Sequence, residues 1–292
     1  MDDSEKKAME MMAQAEKKLK SSSGFLGSLM GGNSKVEDAA ELYTKAGHSF
    51  KMAKKWGDAG NAYSKAAGIH QRLGNKLETA SHFIDCGNCF KKVDRKEAVN
   101  YLLKAIEVYV DMGRFTIAAK HHMEIAELYE QEPVDIKEAM EYYQRAADFY
   151  QGEESNSSAN RCLLKVAQYA SELEMYDKAA TIYENIGTSS MDNPLLRHGA
   201  KDHFFRAVVC RLCQDVQDAE NALVKYSDIC TVFGDSREVK LTKALLAAIE
   251  EKDGEAFGAA TKDYDSISRL DPWFVKMFLR VKKTIDNESD LL

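Results

Sequence analysis

The sequence has few residues that interrupt helices and lacks the long apolar runs that cross membranes. Only 3 of its 292 residues are proline, and no stretch approaches the roughly 18 apolar residues of a membrane span. Clear strand-like alternation of apolar and polar residues is missing too. The charged opening "MDDSEKKAMEMMAQAEKK" lacks the apolar centre of a signal peptide. We therefore expect an all-α cytoplasmic protein that meets membranes only peripherally, on their cytosolic face.

Recognisable catalytic motifs are also missing. The glycines of residues 21–34, "SSSGFLGSLMGGNS", are not followed by the Lys-Ser or Lys-Thr of a phosphate-binding loop. Neither a nucleophile elbow nor a dinucleotide-binding fingerprint occurs. The sequence thus predicts a protein that is not an enzyme and needs no cofactor. Its net charge of −7 also argues against a nucleic-acid-binding protein, since such proteins need positive charge to displace counterions from phosphates.

Two pairs of cysteines have the CxxC spacing of redox or zinc sites. Cys86 and Cys89 form one pair and Cys210 and Cys213 the other, about 120 residues away. Each pair lies within a predicted helix, and the separation is far from that of a zinc ribbon. Because buried cysteine behaves as a small apolar residue, we expect structural cysteines and no bound metal. A thiol or metal enzyme stays open as an alternative.

The neighbours His121, His122 and Glu124 also offer metal-ligating atoms. Adjacent residues on a helix point in different directions, however, so the two histidines do not converge on one ion. We expect His122 to fill a core position instead.

Helical periodicity is the strongest pattern in the chain. A small residue is followed by a larger one at i+4, a small or aliphatic one at i+7 and often an aromatic one at i+11, all on one side of a helix. Successive copies of this repeat begin 19 to 21 residues apart. The eight copies are Ala39/Tyr43/Ala46/Phe50, Ala59/Tyr63/Ala66/His70, Thr79/Phe83/Cys86/Phe90, Ala98/Leu102/Ala105/Tyr109, Ala118/His122/Ile125/Tyr129, Ala139/Tyr143/Ala146/Tyr150, Ala159/Leu163/Val166/Ala170 and Ala179/Tyr183/Ile186.

A step near twenty residues accommodates one helix of about four turns and a short connection. Two steps therefore form an antiparallel helix hairpin, and successive hairpins stack into a solenoid. We predict a tetratricopeptide-like, right-handed helical-hairpin solenoid over residues 1–200. Pro194 is expected to end the repeat.

Further helices are expected after the repeat, at residues 199–214, 216–231 and 237–252 and after Asp271-Pro272. We predict that residues 201–285 form a C-terminal helical bundle. Residues 286–292, "DNESDLL", then form an acidic tail that ends in Leu291 and Leu292.

Basic residues recur along the middle of the repeat, at Arg114, Lys120, Arg161, Lys165, Arg197 and Lys201. Charged positions of this kind are most often solvated helix faces. The alternative is that they line one face and meet an acidic helical partner, where they would set approach rate and orientation. The residues alone leave both interpretations open.

Four segments of the sequence are distinctive: "DMGRFTIAAKHH" (111–122), "GEESNSSANRCLLKVA" (152–167), "YDSISRLD" (264–271) and the acidic Leu-Leu end. In these segments the chain resembles the soluble NSF attachment proteins, and the resemblance extends over its full length. Several copies of such an adaptor coat an assembled SNARE four-helix bundle of the syntaxin, SNAP-25 and synaptobrevin type. They recruit the hexameric ATPase NSF, which pulls the bundle apart. The resemblance implies the same role here.

The resemblance also implies site residues. For SNARE binding these are Arg114, Lys120, Arg161, Lys165 and Lys201. For NSF binding they are Asp215, Glu250, Glu251, Leu291 and Leu292, the two leucines stimulating the ATPase. A tetratricopeptide-like scaffold for another peptide is the alternative function, and it would not need the terminal leucines.

Within residues 21–34, the resemblance implies a membrane loop that uses Phe25, Leu26, Leu29 and Met30. Fully burying a Phe or Leu side chain contributes about 1.5–3 kcal/mol, and ordering a glycine-rich loop offsets part of that. We expect a weak contact that matters once the adaptor also holds a membrane-anchored SNARE. The loop folding back on the first hairpin is the alternative.

Overall fold

The computed structural model describes residues 2–22 and 32–289. These residues form fifteen helices and no strand, which confirms the all-α prediction. The predicted membrane residues Phe25, Leu26, Leu29 and Met30 lie outside the described residues, and so do Leu291 and Leu292. Among the described residues, none of the helices combines the length and apolar character that spanning a bilayer requires.

The repeat coincides with eight successive helices, one for each copy. The first and third residues of every copy are buried, as the pattern requires. These helices are α2 (Gly32–Met52), α3 (Trp56–Leu73), α4 (Lys76–Phe90), α5 (Arg95–Asp111), α6 (Phe115–Tyr129), α7 (Ile136–Gly152), α8 (Asn156–Glu172) and α9 (Tyr176–Met191).

The other helices precede and follow the repeat copies. They are α1 (Asp3–Ser22), α10 (Arg197–Leu212), α11 (Val216–Ile229), the short α12 (Thr231–Gly234), α13 (Arg237–Glu250), α14 (Gly254–Ile267) and α15 (Pro272–Ser289). Four of them agree with the expected segments, whereas α1, α12 and α14 were not marked by the repeat.

Several connections between helices use a residue in the left-handed conformation. Gly74 and Gly113 have φ angles of 77° and 68°, in the region that favours glycine. Lys54, Glu154 and Glu174 adopt the same conformation at equivalent turns. Asp94 begins α5 differently, because its side chain accepts hydrogen bonds from the backbone N–H groups of Lys96 and Glu97.

Small residues let neighbouring helices approach closely. A Cβ atom added to Gly60 of α3 would lie 2.5 Å from the ring of Phe90 on α4. The same close approach occurs between Gly187 of α9 and Phe204 of α10, at 2.8 Å. The aromatic ring thus occupies the volume that a side chain on the facing helix would take.

The chain divides into two compact units, residues 1–159 and 160–292. The predicted boundary between residues 200 and 201 lies inside α10, and the division into solenoid and C-terminal bundle stays a prediction. The expectation that Pro194 ends the repeat is wrong for α10. Ala200, Phe204 and Ala207 repeat the spacing and are fully buried. Pro194 lies in the connection before α10 and therefore does not interrupt this helix.

In the second unit, α15 packs against the end of α8 and the start of α9. The indole N–H of Trp273 donates to Ser171 Oγ at 2.7 Å. Arg280 donates to the backbone carbonyls of Ser171 and Glu172, both at 2.8 Å, and to the hydroxyl of Tyr176 at 3.0 Å. The guanidinium thereby supplies a donor to the carbonyl of Glu172 at the end of α8 and a second donor to that of Ser171, which also accepts from the backbone N–H of Glu174.

Two glycines of α3 test the close approach. Gly60→Ala should lower the free energy of unfolding by about 1–2 kcal/mol, because its Cβ overlaps the Phe90 ring. Gly68→Ala should raise it by about 0.5–1 kcal/mol, because a Cβ there meets nothing within 4 Å and alanine favours the helix. Urea unfolding measures both. Equal effects would show that Gly60 has no packing role.

Candidate functional site

The cysteines are placed as apolar core residues. Cys86, Cys89 and Cys210 are buried and free, and the thiol of Cys86 donates to the carbonyl of Gly60 at 3.3 Å. Burial raises the pKa of Cys89 to about 11 and that of Cys213 to about 12. Such thiols stay protonated and are poor nucleophiles. Within the part of the chain that the structure describes, no group of three or more His, Cys, Asp or Glu side chains could hold a metal ion.

The predicted core position of His122 is confirmed, since this side chain is 5% exposed. It stacks on Phe149 with the ring centroids 5.5 Å apart. Burial, with Arg145 and His121 nearby, lowers the pKa of His122 to about 4. The neutral imidazole is therefore the form that the fold accommodates.

His121 points away from His122 and joins an ionic cluster between α4 and α6. Its Nδ1 lies 2.8 Å from Glu124 Oε2, and Lys91 also pairs with Glu124. Burial alone would raise the pKa of Glu124, but these hydrogen bonds outweigh it and lower the pKa to about 2. The cluster holds two non-consecutive helices together, a structural role.

The buried His122 should make stability depend on pH. Its pKa is about 4 in the folded protein and about 6.5 when unfolded. Between these values the unfolded chain binds more protons, so stability falls as the pH drops from 6.5 to 4. We expect His122→Phe to remove about 2–3 kcal/mol of this loss.

Urea unfolding of the two proteins at several pH values between 7 and 4 measures the difference. Exposed His198→Gln is the control and should keep the wild-type slope. If His122→Phe kept that slope as well, the imidazole would not be excluded from protonation in the folded state.

Two of the predicted basic residues lie at or on α6 in the first unit. Arg114 is exposed at the residue preceding this helix, and Lys120 is exposed on its second turn. Lys120 follows Ala118, the first repeat residue of α6, by two positions. Arg161 follows Ala159 of α8 in the same way and is also exposed. The repeat therefore presents Lys120 and Arg161 at equivalent positions of two helices.

Lys165 lies one turn after Arg161 on α8 and is only partly exposed. Its ammonium is 5.8 Å from the centroid of the Tyr169 ring. Residues 161, 165 and 169 are four apart, so they share one side of the helix.

Lys201 forms an ion pair inside the second unit. Its Nζ donates to Glu238 Oε1 at 2.9 Å, and the hydroxyl of Tyr264 donates to the same oxygen at 2.9 Å. Burial would raise the pKa of Glu238, but the hydrogen bonds from Lys201 and Tyr264 outweigh it and lower this pKa. Lys201 thus joins α10 to α13.

Sequence reasoning missed a very exposed apolar side chain in the second unit. Leu195 is 90% exposed in the connection between α9 and α10, two residues before Arg197. Helical periodicity has no signal for such a residue, because connections lie outside the repeat. Only the accessible surface identifies it as a candidate contact.

The predicted acidic residues lie at helix ends in the second unit. Asp215 begins α11, and its carboxylate accepts a hydrogen bond from the backbone N–H of Asp218 at 3.0 Å. Glu250 is the last residue of α13 and Glu251 follows it, both exposed. These positions are accessible to a partner, and their role stays a prediction.

The family's sequence pattern, described as "Soluble NSF attachment protein, SNAP", matches residues 6–286. The chain belongs to this family. It is 54% identical to the mouse alpha-soluble NSF attachment protein over 292 residues, 99% of both chains. It is also 54% identical to the bovine beta-soluble NSF attachment protein, over 98% of this chain and 96% of that one.

Membership of the soluble NSF attachment protein family extends to a distant relative. The vesicular-fusion protein Sec17 of Komagataella phaffii is 34% identical over 97% of each chain. Among solved structures, the apo form of RapI is similar over 98% of this chain and 99% of that one, at 13% identity and a TM-score of 0.38. The family pattern and the similar attachment proteins confirm the resemblance stated from the sequence.

The internal pair of Lys201 predicts an effect on stability. Lys201→Gln should lower the free energy of unfolding by about 2 kcal/mol, because Glu238 then keeps a largely buried charge without its cation. Adding Glu238→Gln should recover part of this loss. Exposed Lys120→Gln should change stability by less than about 0.5 kcal/mol. Urea unfolding compares the variants, and equal effects at Lys120 and Lys201 would contradict the structural role.

Proposed function

We propose that this soluble NSF attachment protein links assembled SNARE complexes to NSF and stimulates SNARE disassembly by that ATPase. The observation that carries the proposal is the 54% identity over nearly the full length to proteins named for NSF attachment. The similar Sec17 is named as a vesicular-fusion protein. The proposed role is that of an adaptor, which binds its partners through its surface and does not itself make or break covalent bonds.

Basic side chains of each unit are proposed to bind SNAREs. In the first unit these are Arg114, which precedes α6, and Lys120 of α6, and in the second unit Arg161 and Lys165 of α8. They present positive charge to acidic SNARE helices. Charges of this kind steer encounter and fix orientation, with an effect that salt reduces. Lys201 is also proposed to bind SNAREs. Its ion pair with Glu238 must then either persist or rearrange when the SNARE complex binds.

Acidic residues and the tail are the proposed NSF-binding surface. Asp215, Glu250 and Glu251 are available to basic groups of NSF. Leu291 and Leu292 follow α15, which Arg280 and Trp273 fasten to the second unit. Because α15 is fastened to the second unit, the tail is tethered to the unit that carries the acids, and this tether raises its effective concentration once the acids bind NSF.

A peripheral membrane contact completes the proposal. Phe25, Leu26, Leu29 and Met30 are apolar, and Lys17, Lys18, Lys20 and Lys35 flank them in sequence. Apolar side chains at the headgroup boundary combined with nearby lysines are the chemistry of interfacial binding. The contact adds to SNARE binding and cannot replace it, because a few side chains contribute only a few kcal/mol.

Charge reversal on α6 and α8 tests the SNARE surface. Lys120→Glu with Arg161→Glu should weaken binding to a purified SNARE complex by at least about ten-fold, because two attractive charges become repulsive. The matched control is Lys92→Glu with Lys243→Glu, which changes the net charge equally at other exposed positions. Surface plasmon resonance measures both pairs. Equal losses would mean that only net charge matters.

Disassembly assays test the adaptor role itself. The wild-type chain should support ATP-dependent disassembly of the SNARE complex by NSF. Leu292→Ala should bind the complex with unchanged affinity but slow its disassembly several-fold, because the tail acts on the ATPase and not on the SNAREs. If neither protein bound the complex, the adaptor role would be overturned, and a scaffold for another peptide would replace it.

A further inference from the structure

The two members of the ion pair between Lys201 and Glu238 differ in how accessible they are. The side chain of Lys201 is 29% exposed, whereas that of Glu238 is 12% exposed. The ammonium can turn toward solvent by rotation about its flexible four-carbon stem. The carboxylate lies between α10, α13 and α14, each of which contributes one member of the cluster. Lys201 is therefore the member that can be exchanged.

Glu238 keeps other favourable contacts when the ammonium leaves. The hydroxyl of Tyr264 donates to its Oε1 at 2.9 Å. Glu238 is also the second residue of α13, which Ser236 caps, and the start of a helix favours negative charge. Separating Lys201 from Glu238 thus costs free energy but does not leave the carboxylate without a partner.

A second cation lies one turn before Lys201 on α10. Arg197 is exposed, and its Nε donates to the carbonyl of Met191 at 3.1 Å. Residues four apart on a helix share one side, with about 5–6 Å between their Cβ atoms. An acidic surface that contacts Arg197 is therefore within reach of the ammonium of Lys201.

We infer that Glu238 competes with the SNARE complex for Lys201. In the free chain the carboxylate of Glu238 holds the ammonium, and in the complex an acidic side chain of the SNARE bundle replaces it. This rests on the proposed SNARE-binding role of Lys201 and adds a residue that regulates that site.

The competition makes binding selective for extended acidic surfaces. Exchange replaces one ion pair by another, so a single acid gains little by displacing Glu238. A surface that also contacts Arg197 gains a further interaction that has no internal competitor to displace. Specificity is a difference between affinities, and the internal carboxylate lowers the affinity for every ligand that contacts Lys201 alone.

Removal of the competing charge provides the test. Binding of the full chain to a purified SNARE complex is measured by surface plasmon resonance. Glu238→Gln should tighten it about five-fold, because the ammonium no longer has to leave a carboxylate. A merely structural role of Glu238 would give weaker binding instead. In a chain that already carries Lys201→Gln, adding Glu238→Gln should change the affinity less than about two-fold.

Tyr264→Phe tests the same exchange without changing any charge. It removes the second donor to Glu238, so the carboxylate depends more on Lys201 and releases it less readily. SNARE binding should weaken about three-fold. This variant keeps the inference testable if Glu238→Gln does not fold.

The second unit contains a matched control. Glu184 of α9 pairs with Lys225 and accepts a hydrogen bond from the hydroxyl of Tyr226 at 2.8 Å. This cluster has the same three groups, but its lysine is not a predicted SNARE-binding residue. Glu184→Gln and Tyr226→Phe should each change SNARE binding less than about two-fold.

Three results would overturn the competition: unchanged or weaker binding in Glu238→Gln, equal tightening in Glu184→Gln, or tightening by Glu238→Gln that persists without Lys201. Each of them requires that the wild-type chain binds the complex, and each leaves the adaptor role intact. If the wild-type chain did not bind, the adaptor role would be overturned, and the competition with it.

Discussion

The close approach of neighbouring helices at small residues is the constraint on which this structure depends. Where Gly60 meets Phe90 and Gly187 meets Phe204, there is no room for a further atom. Each helix thereby has one side that must face its neighbours, which leaves the remaining side to solvent. This is why Lys120 and Arg161, at the same repeat position of α6 and α8, are both exposed. The exposure of these two residues follows from the packing.

Partly buried ion pairs give some basic residues a structural role. Lys91, the residue after α4, pairs with Glu124 of α6, and Lys201 of α10 pairs with Glu238 of α13. Both pairs join helices that are not consecutive, so they set the geometry of the units. An exposed lysine such as Lys120 has no comparable role, and its charge can serve a partner. A count of positive charges cannot separate these two kinds of residue.

The sequence predicts the helices well because the repeat is a local property. Every one of its eight copies falls on its own helix, and Cys86 and His122 occupy core positions as expected. The sequence does not predict contacts between residues that are far apart in the chain. Lys201 and Glu238 are 37 residues apart, and no pattern along the chain indicates that they meet. The left-handed conformation of Lys54 is likewise unmarked, since lysine has no preference for it.

The attachment of α15 has a mechanical consequence. Arg280 holds two carbonyls at the end of α8 and the hydroxyl of Tyr176 at the start of α9, and Lys276 lies 2.7 Å from Glu172. A force applied to the chain at residue 289 is therefore not carried by α15 alone. It passes through these side chains into α8 and α9, which share the load along their axes. A tension applied at the carboxyl end would therefore load α8 and α9 together with α15 before it could detach α15 from them.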